Sequence, residues 1–258
     1  MTKYQVLNPS GVPGTLGGIR CYVAELMIPI LTYHRVGEGR EAHVPTVGLA
    51  RFERQMAFLA RHRYQVIAID AFAEALISGR ALPRRGAMIT FDDGYDDNAV
   101  NAAPILGRFG FPSTVFVSPL QIGTPGFMTW DQVRGAQAQG MTIGSHTLHH
   151  TYLPPLSEAQ VKRELTESKQ LIEQQIGRPV HWLSYPIGGY TPTITRLAEA
   201  AGYRAAFTTN RGVSKRTTDR FAVRRIKVTD RDAHPLVFAV KLSGWYDHFR
   251  SLKSPARG

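Results

Sequence analysis

The sequence predicts an α/β fold, an irregular (β/α) barrel of seven or eight units, and three observations predict it. Short apolar runs alternate with amphipathic helical patterns between residues 28 and 228, the order that builds a parallel sheet. At 258 residues the chain is long enough for one large core. It holds no G-x-G-x-x-G and no phosphate-loop sequence, which removes the usual mark of an open nucleotide-binding sheet.

The candidate strands are IPILTYH (28–34), YQVIAID (64–70), GAMITFD (86–92), STVFVS (113–118), MTIGSH (141–146), VHWLSY (180–185), AAFTT (205–209) and AVRRIKV (222–228). Between them, Leu49 to His62 repeats apolar residues about one turn apart at Phe52, Met56 and Leu59. Asp97 to Phe109 does the same through Val100, Ala103 and Leu106. The best-marked helix begins after Ser157, where S-E-A-Q reads as a capping box. Val161, Leu165, Ile172 and Ile176 form its apolar face, and Gly177 with Pro179 ends it.

Composition narrows the class. A hydrophobic content of 43% and a charged content of 20% are those of an ordinary globular protein. Cys21 is the single cysteine, which excludes an internal disulfide framework and any multi-cysteine zinc site. Residues 1–26 read as a loose arm, or an extension ahead of a start near Met27, and residues 27–258 as the domain. The apolar stretch Cys21 to Leu31 is broken by Glu25 and Pro29, and no run approaches the ~20 residues of a membrane span. A cytoplasmic location is the expectation.

The net charge is +11, and residues 211–231 hold eight basic side chains against Asp219 and Asp230. Such a stretch is more often solvated surface than a binding patch. Its functional reading is contact with an anionic surface or a phosphate-bearing substrate. No nucleic-acid motif accompanies it, so no nucleic-acid partner is expected.

In βα barrels the reactive groups sit at the C-terminal ends of strands. Here His34 ends the first candidate strand, Asp92-Asp93 the third, His146 the fifth and Tyr185-Pro186 the sixth. His146 and His150 are four apart, so one helical turn would aim both at one point, while His149 leaves a spacing of three open. With an aspartate from another strand they form a candidate two-histidine, one-carboxylate metal site. The second aspartate is then free to accept a proton from an activated water. Neighbouring strand residues point to opposite faces, so one of the pair needs an irregular turn at Gly94 to reach the same site.

These residues carry a resemblance. ITFDDGY (89–95), SHTLHH (145–150), YPIGGY (185–190) and IPILTYHRV (28–36) are similar to the motifs of the polysaccharide deacetylases with the NodB homology domain, carbohydrate esterase family 4. The resemblance implies a distorted (β/α) barrel and a divalent metal, zinc before cobalt or nickel. It implies Asp92 as catalytic base and Asp93, His146 and His150, rather than His149, as ligands. Within Tyr185-Pro186-Ile187 it implies that the Ile187 backbone N–H helps hold the oxyanion. The expected activity is removal of N-acetyl groups from an N-acetylglucosamine-type glycan, because the branch with a YPxG third motif resembles enzymes acting on poly-N-acetylglucosamine.

The chain also departs from the family pattern. Ser184 stands where many members carry an arginine that braces the base, and no D-W-x-x-W or late L-x-x-H is present. Arg225 is the candidate replacement for that charge. His34 is the candidate proton donor, ahead of His234. The rival readings are a cyclic-amide or imide hydrolase on the same barrel, and a non-catalytic glycan-binding module. Ring-opening assays would mark the first, and loss of the acidic pair or the histidines the second.

Overall fold

A computed structural model describes residues 27–38, 44–215, 218–232 and 234–243, together with the short strands Thr15–Leu16 and Ile19–Arg20. Those two strands pair antiparallel, and the rest of the arm expected over residues 1–26 lies outside the described residues.

Strands β1 (Ile30–Tyr33), β2 (Gln65–Val66), β3 (Gly86–Phe91), β4 (Ser113–Val117), β5 (Met141–Ser145), β6 (Trp182–Ser184), β7 (Ala205–Arg211) and β8 (Val223–Lys227) make one parallel sheet. Its order is β1-β8-β7-β6-β5-β4-β3, and β3 pairs back onto β1 in the register Ile30↔Met88 to Tyr33↔Phe91. The ring is a closed seven-strand barrel, with β2 added outside it through Gln65↔Gly86. Closure leaves the ring without an edge, and every residue of β1, β3 and β4 is buried, as two covered faces require.

Alternation sorts the strand residues into two cores. Leu31, Tyr33, Ile89, Phe91, Val115 and Val117 face the helices. Ile30, Met88, Phe116, Trp182, Phe207 and Val223 form a separate apolar layer, which is the barrel interior. Phe116 can fill that interior because Gly144 lies beside it; a Cβ there would come within 2.5 Å of the Phe116 ring. Two residues further along each strand the inward positions turn polar: Thr32, Thr90, Ser184 and Arg225 are buried. One more step reaches the rim, and His34, Asp92 and Lys227.

The outer helices are α1 (Leu49–Arg61), α2 (Ile69–Ser78), α3 (Ala103–Phe109), α4 (Trp130–Ala138), α5 (Glu158–Ile176), α6 (Pro192–Ala200) and α7 (Pro235–Leu242). The Ser157–Gln160 capping box closes α5 at one end and left-handed Gly177 at the other, with Val161, Leu165, Ile172 and Ile176 buried. Among the described residues no helix is long and apolar enough to cross a membrane.

Three expectations need correction. YQVIAID is not one strand: only Gln65–Val66 pairs, and Ile69 opens α2, whose Phe72 and Ala73 join the interior cluster. The helix expected over Asp97–Phe109 starts with a π turn, Asn98–Ala102, before α3. Its extra residue per turn rotates the face, so Val100 is exposed rather than buried. The basic 211–231 stretch is not all solvated surface, because Arg225 is drawn into the barrel beside Asp92.

Candidate active site

The rim layer surrounds an open cavity of about 450 Å³ lined by His34, Asp92, Asp93, His146, His150, Ile187 and Arg225, among others. Seven of the residues singled out in the sequence therefore meet in one place. Tyr185 and Pro186 do not line it; both are buried behind the Ile187 turn, where Tyr185 stacks on Tyr190.

The two aspartates reach the cavity by different means. Asp92 follows β3 in phase with Met88 and Thr90 and points inward by alternation alone. Asp93 would then point away, and a sharp turn brings it back: Asp93 has φ 75° and Gly94 φ 80°. The irregularity expected at Gly94 thus begins one residue earlier. Asp93 Oδ1 lies 3.3 Å from His146 Nε2 and 3.1 Å from His150 Nε2, and the three ligand atoms fall within 4.8 Å of one another.

This donor set fits a divalent cation. His146 Nδ1 donates to the Ser184 carbonyl at 2.7 Å, which turns the Nε2 lone pair toward Asp93. His150 arrives differently from the expected helical turn. The segment after β5 is a loop in which Thr147 (φ 65°) and His150 (φ 59°) are both left-handed. His149 is not part of the cluster, because its Nδ1 bonds Glu164 Oε1 on α5 at 2.6 Å.

Asp92 has a different neighbour. Arg225 Nη1 donates to its Oδ1 at 2.8 Å and Nη2 to its Oδ2 at 2.6 Å. The same guanidinium bonds Ser184 Oγ at 2.8 Å and the Thr208 carbonyl at 3.1 Å, and rests on the Phe116 and Phe207 rings. Burial alone would raise the Asp92 carboxyl, but Arg225, then His146 and His34, hold it below its ordinary value. Burial opposes Asp93 too, and the neighbouring His146 and His150 imidazoles hold that carboxyl well below the usual range.

His34 continues β1 into the cavity, and Asn98 of the π turn donates to its carbonyl at 2.7 Å. Its Nδ1 is buried and meets no hydrogen-bond partner among the described residues, and burial pushes its pKa down despite Asp92 and Asp93. His234 caps α7 and does not line the cavity. The Ile187 side chain is 68% exposed at φ 58°, with its carbonyl held by the Thr209 hydroxyl at 2.8 Å. Sequence reasoning missed Thr209, Tyr95 and Lys227 as lining residues. For Lys227 a signal existed, since it stands in phase with Arg225 on one strand.

Comparison with known proteins extends this picture. The family model described as polysaccharide deacetylase matches residues 79–206, which include both aspartates and both histidines but stop short of Arg225. A Bacillus subtilis (strain 168) protein, YxkH, whose name places it provisionally among polysaccharide deacetylases, is 31% identical over 202 residues, 78% of this chain and 71% of that one. The poly-beta-1,6-N-acetyl-D-glucosamine N-deacetylase of Staphylococcus aureus (strain MSSA476) is 22% identical over 227 residues, covering 78% of both chains. The solved Streptococcus pyogenes deacetylase PplD superposes with a TM-score of 0.79 at 23% identity, covering 84% of this chain and 99% of that one. That likeness repeats the barrel. The match to YxkH runs through most of both sequences, and the family model spans both aspartates and both histidines of the cavity, so this chain belongs to the polysaccharide deacetylase family.

Proposed function

We propose that the protein hydrolyses the acetamide of an N-acetylglucosamine-type glycan and releases acetate. The observation that carries this reading is the pairing, in one open cavity, of an Asp93–His146–His150 cluster with a second carboxylate outside it, Asp92. A pure binding module has no use for that second group. The Staphylococcus aureus relative, named for N-deacetylation of poly-beta-1,6-N-acetyl-D-glucosamine, supports the substrate class.

Asp93, His146 and His150 would hold the metal, zinc in preference to cobalt or nickel given two imidazoles and a carboxylate. Such a cation supplies Lewis acidity, polarising a carbonyl and making water more acidic. The chain's own residues do the rest. Asp92, kept ionised by Arg225, takes the proton of the water that adds to the acetyl carbonyl carbon. The Ile187 N–H receives the oxygen that becomes negative. His34 gives a proton to the nitrogen as the C–N bond breaks, leaving acetate and a free amine.

Acetate release measured across poly-N-acetylglucosamine, chitin oligomers and peptidoglycan fragments tests the proposal. Metal-dependent release from at least one is expected. Release from none, with ring opening of a cyclic amide instead, overturns it.

A further inference from the structure

The loop between the two candidate imidazole ligands holds an unfavourable backbone. Thr147 and His150 are both left-handed, a backbone that brings the Cβ of an L side chain too close to the following carbonyl oxygen. Thr147 is β-branched, for which this conformation is an outlier. Such a loop persists only where its surroundings impose it.

Helix α5 imposes it. Glu164, buried on that helix, accepts from Leu148 N at 2.9 Å and His149 N at 3.1 Å through Oε2, and contacts His149 Nδ1 at 2.6 Å through Oε1. One turn further, Ser168 Oγ bonds Ser145 Oγ, which accepts from Thr147 N at 3.2 Å. Three donors converge on Glu164, and an ionised carboxylate, with acceptor capacity on both oxygens, satisfies them all. A glutamine would turn an N–H₂ toward one of those donors.

We infer that Glu164 is a positioning residue of the metal site: by fixing residues 147–149 it aims His150 at Asp93, and so sets metal affinity. His149 is the latch of this arrangement. The inference rests on the metal-site reading above.

The test compares Glu164→Gln with Glu173→Gln. Glu173 is on the same helix and anchors its far end through Val180 N at 2.8 Å and Lys169 at 2.6 Å. Zinc affinity is measured by chelator competition, and cobalt affinity from the visible absorption of the bound ion. Unfolding of the metal-free proteins is followed in parallel. Glu164→Gln should bind both ions about 10–100-fold more weakly, the range for loss of an outer-shell partner. Its kcat should recover at saturating metal, with KM unchanged. Glu173→Gln should lower the melting temperature without moving either affinity.

Wild-type affinity in Glu164→Gln, or an equal fall in Glu173→Gln, overturns the inference. If Glu164→Gln does not fold, His149→Ala removes the latch alone. It should still weaken cobalt binding by about 10-fold, the low end of that range, and unchanged binding again overturns the inference. Failure of the wild-type chain to bind either ion is a separate result, and removes the metal-site reading itself.

Discussion

Arg225 grips Asp92 with both arms of its guanidinium, at 2.8 and 2.6 Å, and each side chain is only 1% exposed. The charge comes from the last barrel strand, while Ser184, at the position where many family members carry the bracing arginine, adds a hydroxyl to the same guanidinium. The contact therefore spans 133 residues of chain.

Arg225→Lys keeps the charge and loses the fork. Burial then raises the Asp92 carboxyl against a weaker partner. A base works only when deprotonated, so the acid limb of kcat/KM should move to higher pH, with a larger loss at pH 5 than at pH 8. An unmoved limb would show that Arg225 does not tune Asp92. Arg225→Met should cost about 3–5 kcal/mol of stability, the penalty for a buried charge left alone, and Asp92→Asn should recover part of it.

The neighbouring aspartates should fail differently. Asp92→Asn is expected to bind metal as the wild type does and to lose about 10²–10⁴ in kcat, the usual contribution of a general base. Asp93→Asn should weaken metal binding first, with rate partly restored by excess ion. Metal titrations and turnover on both proteins decide it, and matching behaviour would refute the division of labour.

His34→Ala should keep its metal and its fold. It should lose most of its rate on an N-acetyl glycan and much less on an activated acetate ester, whose leaving group needs no proton. Wild-type deacetylation by the variant would make His34 structural.

Thr209 donates to the Ile187 carbonyl and so holds the turn at φ 58° whose N–H is proposed to receive the oxyanion. Thr209→Val, nearly the same shape, should lower kcat about tenfold, about 1.4 kcal/mol, in line with the loss of one hydrogen bond. Thr209→Ser should restore it, with KM little changed throughout. A fall in Thr209→Val that Ser does not repair would place the effect in packing.

Much of this architecture was legible because alternation and capping are local. Strands β3, β4 and β5 and the capping box of α5 follow from patterns a few residues long. YQVIAID misled because a short apolar run fits a strand and a helix start equally well, and packing inside the barrel decided. The spacing of His146 and His150 was visible, but nothing in Thr147 or His150 announces a left-handed backbone. Arg225 could be nominated as the bracing charge, yet its burial depends on a carboxylate far away in sequence and so is written in no single segment.

Ring closure sets an order on how this protein can be made. Strand β1 pairs with β3 on one side and with β8 on the other, so its second neighbour leaves the ribosome long after its first. Domains emerge at roughly 5–20 residues per second. For many seconds, then, β3 exists while Arg225 does not, and Asp92 cannot be buried in ionised form without its counter-charge. The first half of the barrel must stay open and wet around that carboxylate until β8 arrives. The candidate metal ligands have all emerged earlier, at His150, but Glu164 and the Ser184 carbonyl, which hold the loop and His146 in place, follow them. The Asp92–Arg225 pair forms only at the step that seals the barrel.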